Sequence, residues 1–323
     1  MPEPLPSGAN FIRSKTLWEA GLHVAGNPAT PYGGNRDMCI VVGSGSGEDF
    51  KPWLRMATGS ILLAHAVTKG TVEMAFVNPS GLLTQAYRGT GVFSEPLPVR
   101  IVANYPSWDR CVFMVHKRMG VSTLGELFAK KPKMRISIRE EVAHSIRILS
   151  DQLYSLYGIS MDDLRSWGCT FQEVGPPGDM RRVNAIKNQE IDMVWDEGII
   201  NNLWFDVALE HDMLPIVLEP EIFDKMTALG WRKVTVPAGT YPHHTKDYEC
   251  IDFSGWPIYT RESLPDDVAY DVAGALAARV AEVPWESGFQ GAGQIGTETD
   301  ATPMDVPLHP GAERWYRDNG YIK

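Results

Sequence analysis

Short apolar runs alternate along the chain with amphipathic stretches of helical period. The runs MCIVV (38–42), VEMAFV (72–77), VRIVANY (99–105), CVFMVH (111–116), MRISI (134–138), TFQEV (170–174), IDMVW (191–195) and LPIVL (214–218) read as strands. Between them lie SILLAHAVTKG (60–70), PSGLLTQAYRG (79–89), STLGELF (122–128), GDMRRVNAIKN (178–188), IINNLWFDVALEH (199–211) and EIFDKMTALG (221–230), which read as helices. The clearest helix is EEVAHSIRILSDQLYSLYG (140–158), with Val142, Ile146, Leu149, Leu153 and Leu156 at spacings of three to four and Gly158 closing it. LPDDVAYDVAGALAARVAEV (264–283) is another long helix, and a short one is expected near Phe11 to Gly21. Strands alternating with helices predict α/β units on a largely parallel sheet. Ligands of such sheets sit at the carboxyl ends of strands, against helix N-termini.

The length of 323 residues predicts two domains or one large α/β domain. A net charge of −10 argues against nucleic acid or an anionic membrane as main partner, yet leaves room for a local arginine cluster that takes a small anion. Cys39, Cys111, Cys169 and Cys250 are widely spaced, which supports neither a zinc site nor a disulfide framework; most are expected to be buried thiols. His243 and His244 are adjacent, a poor spacing for metal ligands, so no metal and no cofactor is expected. The first residues show no basic segment followed by an apolar core, so the expected location is cytoplasmic, or periplasmic if a leader has been removed.

The glycines after MCIVV, in GSGSGEDF (43–50), invite a dinucleotide reading. Gly43 and Gly45 fit the first two places, but Glu48 stands at the third, Asp49 adds a second carboxylate, and Pro52 interrupts any following helix. The stretch reads instead as a ligand-covering loop, with Phe50 or Trp53 as the cover.

Several strand ends are polar enough for ligand chemistry. Thr58, Gly59 and Ser60 open a helix; Asn78 and Ser80 follow one strand and Tyr105 ends another. Arg139 and Ser145 flank the start of the clearest helix. Trp195, Asp196 and Glu197 end a further strand. Helix N-termini, an arginine fork and aromatic walls together suit a small polar acid. Plainer roles stand beside these: Thr58 and Ser60 as caps, Arg139 paired with Glu140 or Glu141, Trp195 as core. Asp196 and Glu197 are the carboxylates placed for general acid or base work, should the chain be an enzyme.

VPAGTYPHHTKD (236–247), PLHPGAERWYRDNGY (307–321), TGSILLAHAVTKGTVEMAFVNPSGLLTQAYRGTGVF (58–93) and ESLPDDVAYDVAGAL (262–276) resemble signatures of the TAXI family of solute receptors, which serve tripartite TRAP transporters. The resemblance implies a two-lobed, periplasmic-binding-protein-like α/β fold of the second type. Lobe 1 would comprise 1–115 and 247–323 and lobe 2 would comprise 116–246, with a ligand cleft between them. It implies a small carboxylate, amino acid or keto acid as ligand and, if the protein is exported, TRAP membrane subunits as partners. By motif, Thr58, Gly59, Ser60, Asn78, Ser80 and Tyr105 correspond to ligand-site positions, and Tyr241 to a conserved turn. The family's N-terminal Gly-Gly-Thr-Tyr-Tyr loop has no counterpart, REEVAHS (139–145) replaces a small-residue turn, and WDEG (195–198) replaces an apolar strand end. These departures predict a remodelled pocket. Two functions follow: a solute-binding protein with Arg139 as anion anchor, or a cytoplasmic lyase or decarboxylase on the same fold in which burial raises the pKa of Asp196 or Glu197.

Overall fold

The apolar runs assemble into two sheets rather than one. The computed structural model describes residues 9–27, 29, 39–44, 51–57, 61–198, 204–285 and 288–323. The first part of the chain forms α1 (Ala9–Gly26), β1 (Cys39–Ser44), β2 (Lys51–Ala57), α2 (Leu63–Thr68), β3 (Met74–Phe76), α3 (Ser80–Arg88) and β4 (Val99–Tyr105). The middle forms β5 (Arg110–His116), α4 (Leu124–Lys130), β6 (Arg135–Arg139), α5 (Ser145–Leu156), α6 (Met161–Ser166), β7 (Thr170–Val174), α7 (Met180–Lys187), β8 (Met193–Glu197), α8 (Trp204–Glu210), β9 (Met213–Pro215), α9 (Pro220–Leu229), β10 (Lys233–Val236) and β11 (Tyr248–Asp252). The last part forms β12 (Trp256–Arg261), α10 (Asp266–Arg279) and α11 (Pro310–Asp318).

The first sheet runs β1-β2-β3-β12-β4 and the second β10-β11-β5-β8-β6-β7, with β9 also on β5. The chain passes from the first sheet to the second between β4 and β5 and returns between β11 and β12. This is the two-lobed α/β architecture expected from the sequence. The expected limits at 115/116 and 246/247 are displaced, because β5 and β11 pair with each other (Ile251 opposite Cys111) inside the second sheet. The sheets are also mixed rather than largely parallel: β2/β3, β6/β7 and β6/β8 are parallel, whereas β5 is antiparallel to β8, β9 and β11, and β12 to β3 and β4. A strand entering or leaving a sheet at a crossing has no helix to reverse it, so it runs against its neighbours.

The glycine loop is followed not by a helix but by β2, which returns antiparallel along β1. That hairpin removes the dinucleotide geometry; residues 45–50 themselves lie outside the described residues. The clearest helix begins later than its apolar pattern, at Ser145. Glu140 still donates its N–H to Val174 O as an extension of the β6/β7 ladder, and His144 caps the helix by accepting from Ile146 N at 3.2 Å.

One apolar cluster joins the inner flanks of both sheets, from Leu82 and Leu83 of α3 to Ile146, Leu149 and Leu153 of α5 and to Trp231. Between these halves, Gln85 and Gln152 exchange amide hydrogen bonds of 3.0 and 2.8 Å, and Trp231 donates to Gln152 Oε1 at 2.8 Å. Two further clusters pack α7 and α8 on the second sheet and α10 and α11 on the first. Cys111, Cys169 and Cys250 are buried and Cys39 is exposed. No helix among the described residues is long and apolar enough to cross a membrane.

Candidate functional site at the sheet boundary

β6 and β8 are parallel neighbours with Ser137 beside Val194, which places Arg139 abreast of Asp196 at the carboxyl ends of both strands. Period-two alternation turns Arg139, Ser137 and Asp196 to the face covered by α7 and α8 and turns Trp195 the other way. α7 supplies Arg182 from beneath. Arg182 donates from Nε to Ser137 Oγ at 3.0 Å and from Nη1 to Asp196 Oδ2 at 2.5 Å. Arg139 donates from Nη2 to Asp196 Oδ1 at 2.8 Å and to Glu197 Oε1 at 2.6 Å. The Glu197 N–H adds a bond to Asp196 Oδ1 at 2.8 Å. The result is a buried ladder, Arg182–Asp196–Arg139–Glu197, whose formal charges cancel. Arg182 and Asp196 are 0% exposed, Arg139 5% and Glu197 13%.

Burial alone would push the Asp196 carboxyl up, but the Arg182 and Arg139 guanidiniums outweigh it and hold the group below the usual carboxylate range. Asp196 is therefore a fixed counter-ion and not the proton carrier with a raised pKa that the enzyme reading required. Burial likewise works against the Arg139 charge, and Asp196 and Glu197 more than restore it. Arg139 is not an open anion anchor, because its Nε and Nη2 edge is filled; Nη1 remains on the side of His144, 3.4 Å from Nε2. His144 Nδ1 accepts the Ile146 N–H, so in the neutral ring Nε2 carries the hydrogen, and it lies 3.9 Å from Glu197 Oε1.

The two halves meet beside this ladder. Ser145 Oγ donates to the Asn78 carbonyl at 2.5 Å, tying the start of α5 to the turn after β3. Asn78 Nδ2 donates to Gly255 O at 3.1 Å, and Ser80 Oγ accepts from Asn104 Nδ2 at 3.1 Å. Asn78 and Ser80 thus serve the turn and the returning crossing. Gly255, at φ +82°, has no room for a side chain there, since a Cβ would lie 2.2 Å from Ser80 Oγ. Tyr105 is half-buried with its ring edge-on to Trp285 at 5.1 Å, and burial pushes its hydroxyl up. Trp195 is core, packed on Tyr154 at 4.9 Å and near Phe113. Tyr241 belongs to a separate group around Phe205 of α8, 5.8 Å between rings, and burial pushes its hydroxyl up to about 12. Thr58, Gly59, Ser60 and Phe50, and the Trp53 side chain, lie outside the described residues.

The fold thus brings Arg139, Ser145, Asp196, Glu197 and Asn78 to one boundary, together with Arg182 and His144, which the sequence reading did not single out. Arg182 carried a signal: it shares the buried face of α7 with Val183, Ala185 and Ile186, and a cation on an apolar face needs a carboxylate opposite. The two crossings are pinned in the same manner. Arg110 Nη1 donates to Asp252 Oδ1 at 2.9 Å, to Asp109 O and to Ser254 Oγ. None of the candidate ligand residues among those described lines the apolar cavity of about 210 Å³ bounded by Met56, Met74, Phe76 and Ile258 of the first sheet and Trp18 and Leu22 of α1. Among the described residues no group of His, Cys, Asp and Glu could hold a metal ion.

Among solved structures, the chain is similar to XAC2383 from Xanthomonas citri bound to chloride ion (12% identity over 80% of this chain and 78% of that one, TM-score 0.38). It is similar to the periplasmic binding protein BugD (11% identity, 80% of each chain, TM-score 0.38). It is also similar to lactococcal OpuAC complexed with glycine betaine (12% identity, 81% and 85% of the two chains, TM-score 0.35). At the level of sequence, the pattern of one described family runs through residues 52–320, from β2 to the end of α11, and the chain belongs to the NMT1-like family.

Proposed function

We propose that the protein is a solute receptor whose two lobes close over a small organic acid. The observation that carries this reading is the meeting of polar strand ends at a boundary crossed twice by the chain, with Ser145 bonded to the Asn78 carbonyl across it. A ligand carboxylate would be taken by Arg139 Nη1 and by the start of α5, beside the filled edge of Arg139. The charge-neutral ladder gives this site rigidity rather than a net positive field, so recognition depends on shape and hydrogen bonds as much as on charge. Delivery of the acid to the membrane subunits of a tripartite transporter fits the sequence resemblance and completes the proposal.

A thermal-shift screen with keto acids, hydroxy acids and amino acids, and with sulfonates and betaines as further arms, tests the reading. A ligand at a hundred times its Kd stabilises the folded protein by about 2.7 kcal/mol, an easily measured rise in Tm. Stabilisation by a carboxylate is expected. A response confined to sulfonates would remove the organic-acid assignment and keep the receptor; no response from any arm would remove both.

A further inference from the structure

The segment VPAGTYPHHTKD forms the β10–β11 connection, and the site at the sheet boundary does not use it. The loop is closed on itself: Ala238 N donates to Asp247 Oδ1 at 2.8 Å, Gly239 N to His244 O at 2.7 Å and Thr240 Oγ1 to Pro237 O at 2.6 Å. It is docked on α8, where His243 meets Asp206 through its N–H at 2.9 Å and through Nδ1 at 3.0 Å. The His244 ring stands edge-on to Phe205 at 5.5 Å.

His244 is the exception in this well-bonded loop. It is 4% exposed, and apart from the Lys246 backbone, which lies beside the ring without a hydrogen bond of full geometry, its ring nitrogens have no partner among the described residues. Burial holds its imidazole below the ordinary value, so at neutral pH the ring offers one N–H and one lone pair. Buried polar groups almost always have partners, so a ring whose two nitrogens are served by nothing better than the Lys246 backbone calls for a bound group. His244 lines a groove of about 480 Å³, within the range of roughly 300–1,000 Å³ typical of small-molecule sites. The groove exists because β11 follows β5 only as far as Cys111, while β9 takes over the same edge from Met114 onward, leaving the loop to stand off from β9. One wall is apolar (Leu209, Leu214, Pro215 and Val217), and the other carries His243, His244, Thr245, Lys246, Asp247 and Tyr248. Lys246 makes no ion pair among the described residues, whereas Asp247 is committed to the Ala238 N–H.

We propose that this groove is a second binding site, distinct from the sheet boundary, for an aliphatic monocarboxylate of medium chain length. The head group takes the His244 N–H and the Lys246 ammonium, and the tail lies along Leu209, Leu214, Pro215 and Val217. The remaining His244 lone pair is satisfied by water carried with the head group.

The test is a titration of the full-length protein with octanoate, followed through the His244 imidazole resonances and by calorimetry, with acetate and octylamine as controls. Octanoate is expected to shift the His244 resonances and to bind at least about tenfold more tightly than acetate, from burial of its tail. Octylamine is expected not to bind. His244→Phe, which keeps the ring on Phe205, and Lys246→Gln, an exposed change with no bearing on folding, should each weaken octanoate about tenfold. The proposal is overturned if octanoate leaves the His244 resonances in place, if octylamine binds as well, or if both variants bind octanoate like the parent protein. Octanoate bound with full affinity by both variants would place it at the sheet boundary, and would leave the receptor reading standing.

Discussion

Asp196→Asn is expected to cost about 3–5 kcal/mol of stability, the loss seen when one partner of a buried ion pair is removed. For a chain of 323 residues, at an unfolding entropy of about 2.1 cal/mol/K per residue, that is roughly 4–7 °C in Tm. The reason is local. Asn keeps the shape but removes the one carboxylate that, among the described residues, pairs with Arg182, which is 0% exposed and already has one nitrogen, Nη2, without a partner there. Arg139 keeps Glu197 and suffers less. Glu197→Gln should therefore cost less, about 1–3 kcal/mol, the value of one hydrogen bond to a charged group. Arg182→Met in the Asp196→Asn background should recover part of the loss, because it removes the stranded cation. The pH dependence has a definite sign. The Asp196 carboxyl is held below its unfolded value of about 3.9, so its contribution is complete above that pH and is lost as pH falls through the folded value. The Asp196→Asn variant lacks this part of the acid transition, while Asp192, also held low, keeps its own. Denaturant melts from neutral to strongly acidic pH check both points.

Arg110→Met acts on the crossings and is expected to reach a similar size, about 3–5 kcal/mol at neutral pH. Arg110 is the counter-charge of Asp252, itself 6% exposed. Here the sign is reversed. Burial pushes the Asp252 carboxyl above its ordinary value and Arg110 offsets this only in part. The contribution of Asp252 is full below its unfolded pKa and is lost as pH rises through the raised folded value. Without Arg110 that value rises further, so the penalty of Arg110→Met should shrink as the pH falls and Asp252 takes up its proton, and should shrink at neutral pH on adding Asp252→Asn. Equal penalties across this pH range would contradict the pairing.

The alternation of apolar runs and helical stretches was enough to read an α/β chain, and the polar strand ends were enough to pick out Arg139, Asp196 and Glu197. What could not be read was the register. Only the parallel pairing of β6 and β8 sets Arg139 beside Asp196, and it converts two candidate ligand groups into partners of one another. β2 escaped because KPWLRMA mixes Pro52 and two cations into its apolar positions, and the hairpin with β1 supplies what its own pattern lacks. The largely parallel sheet failed at the crossings, whose direction depends on long-range pairing. Asn78 and Ser80 looked like ligand groups because they follow a strand; the returning crossing at Gly255 and the buried Asn104 claim them instead.

The distance between the lobes tests the receptor reading most directly. Spin labels at Lys69→Cys, at the end of α2, and Lys187→Cys, at the end of α7, report it once the exposed Cys39 is replaced by Ser. Closure over a solute predicts a broad distribution for the free protein that collapses to one short distance with the acid found in the thermal screen. Gly81→Val, whose Cβ would sit 2.7 Å from the Trp231 ring, should hold the lobes apart even with that acid present. A distribution that saturating acid leaves unchanged would contradict a receptor that closes on its ligand.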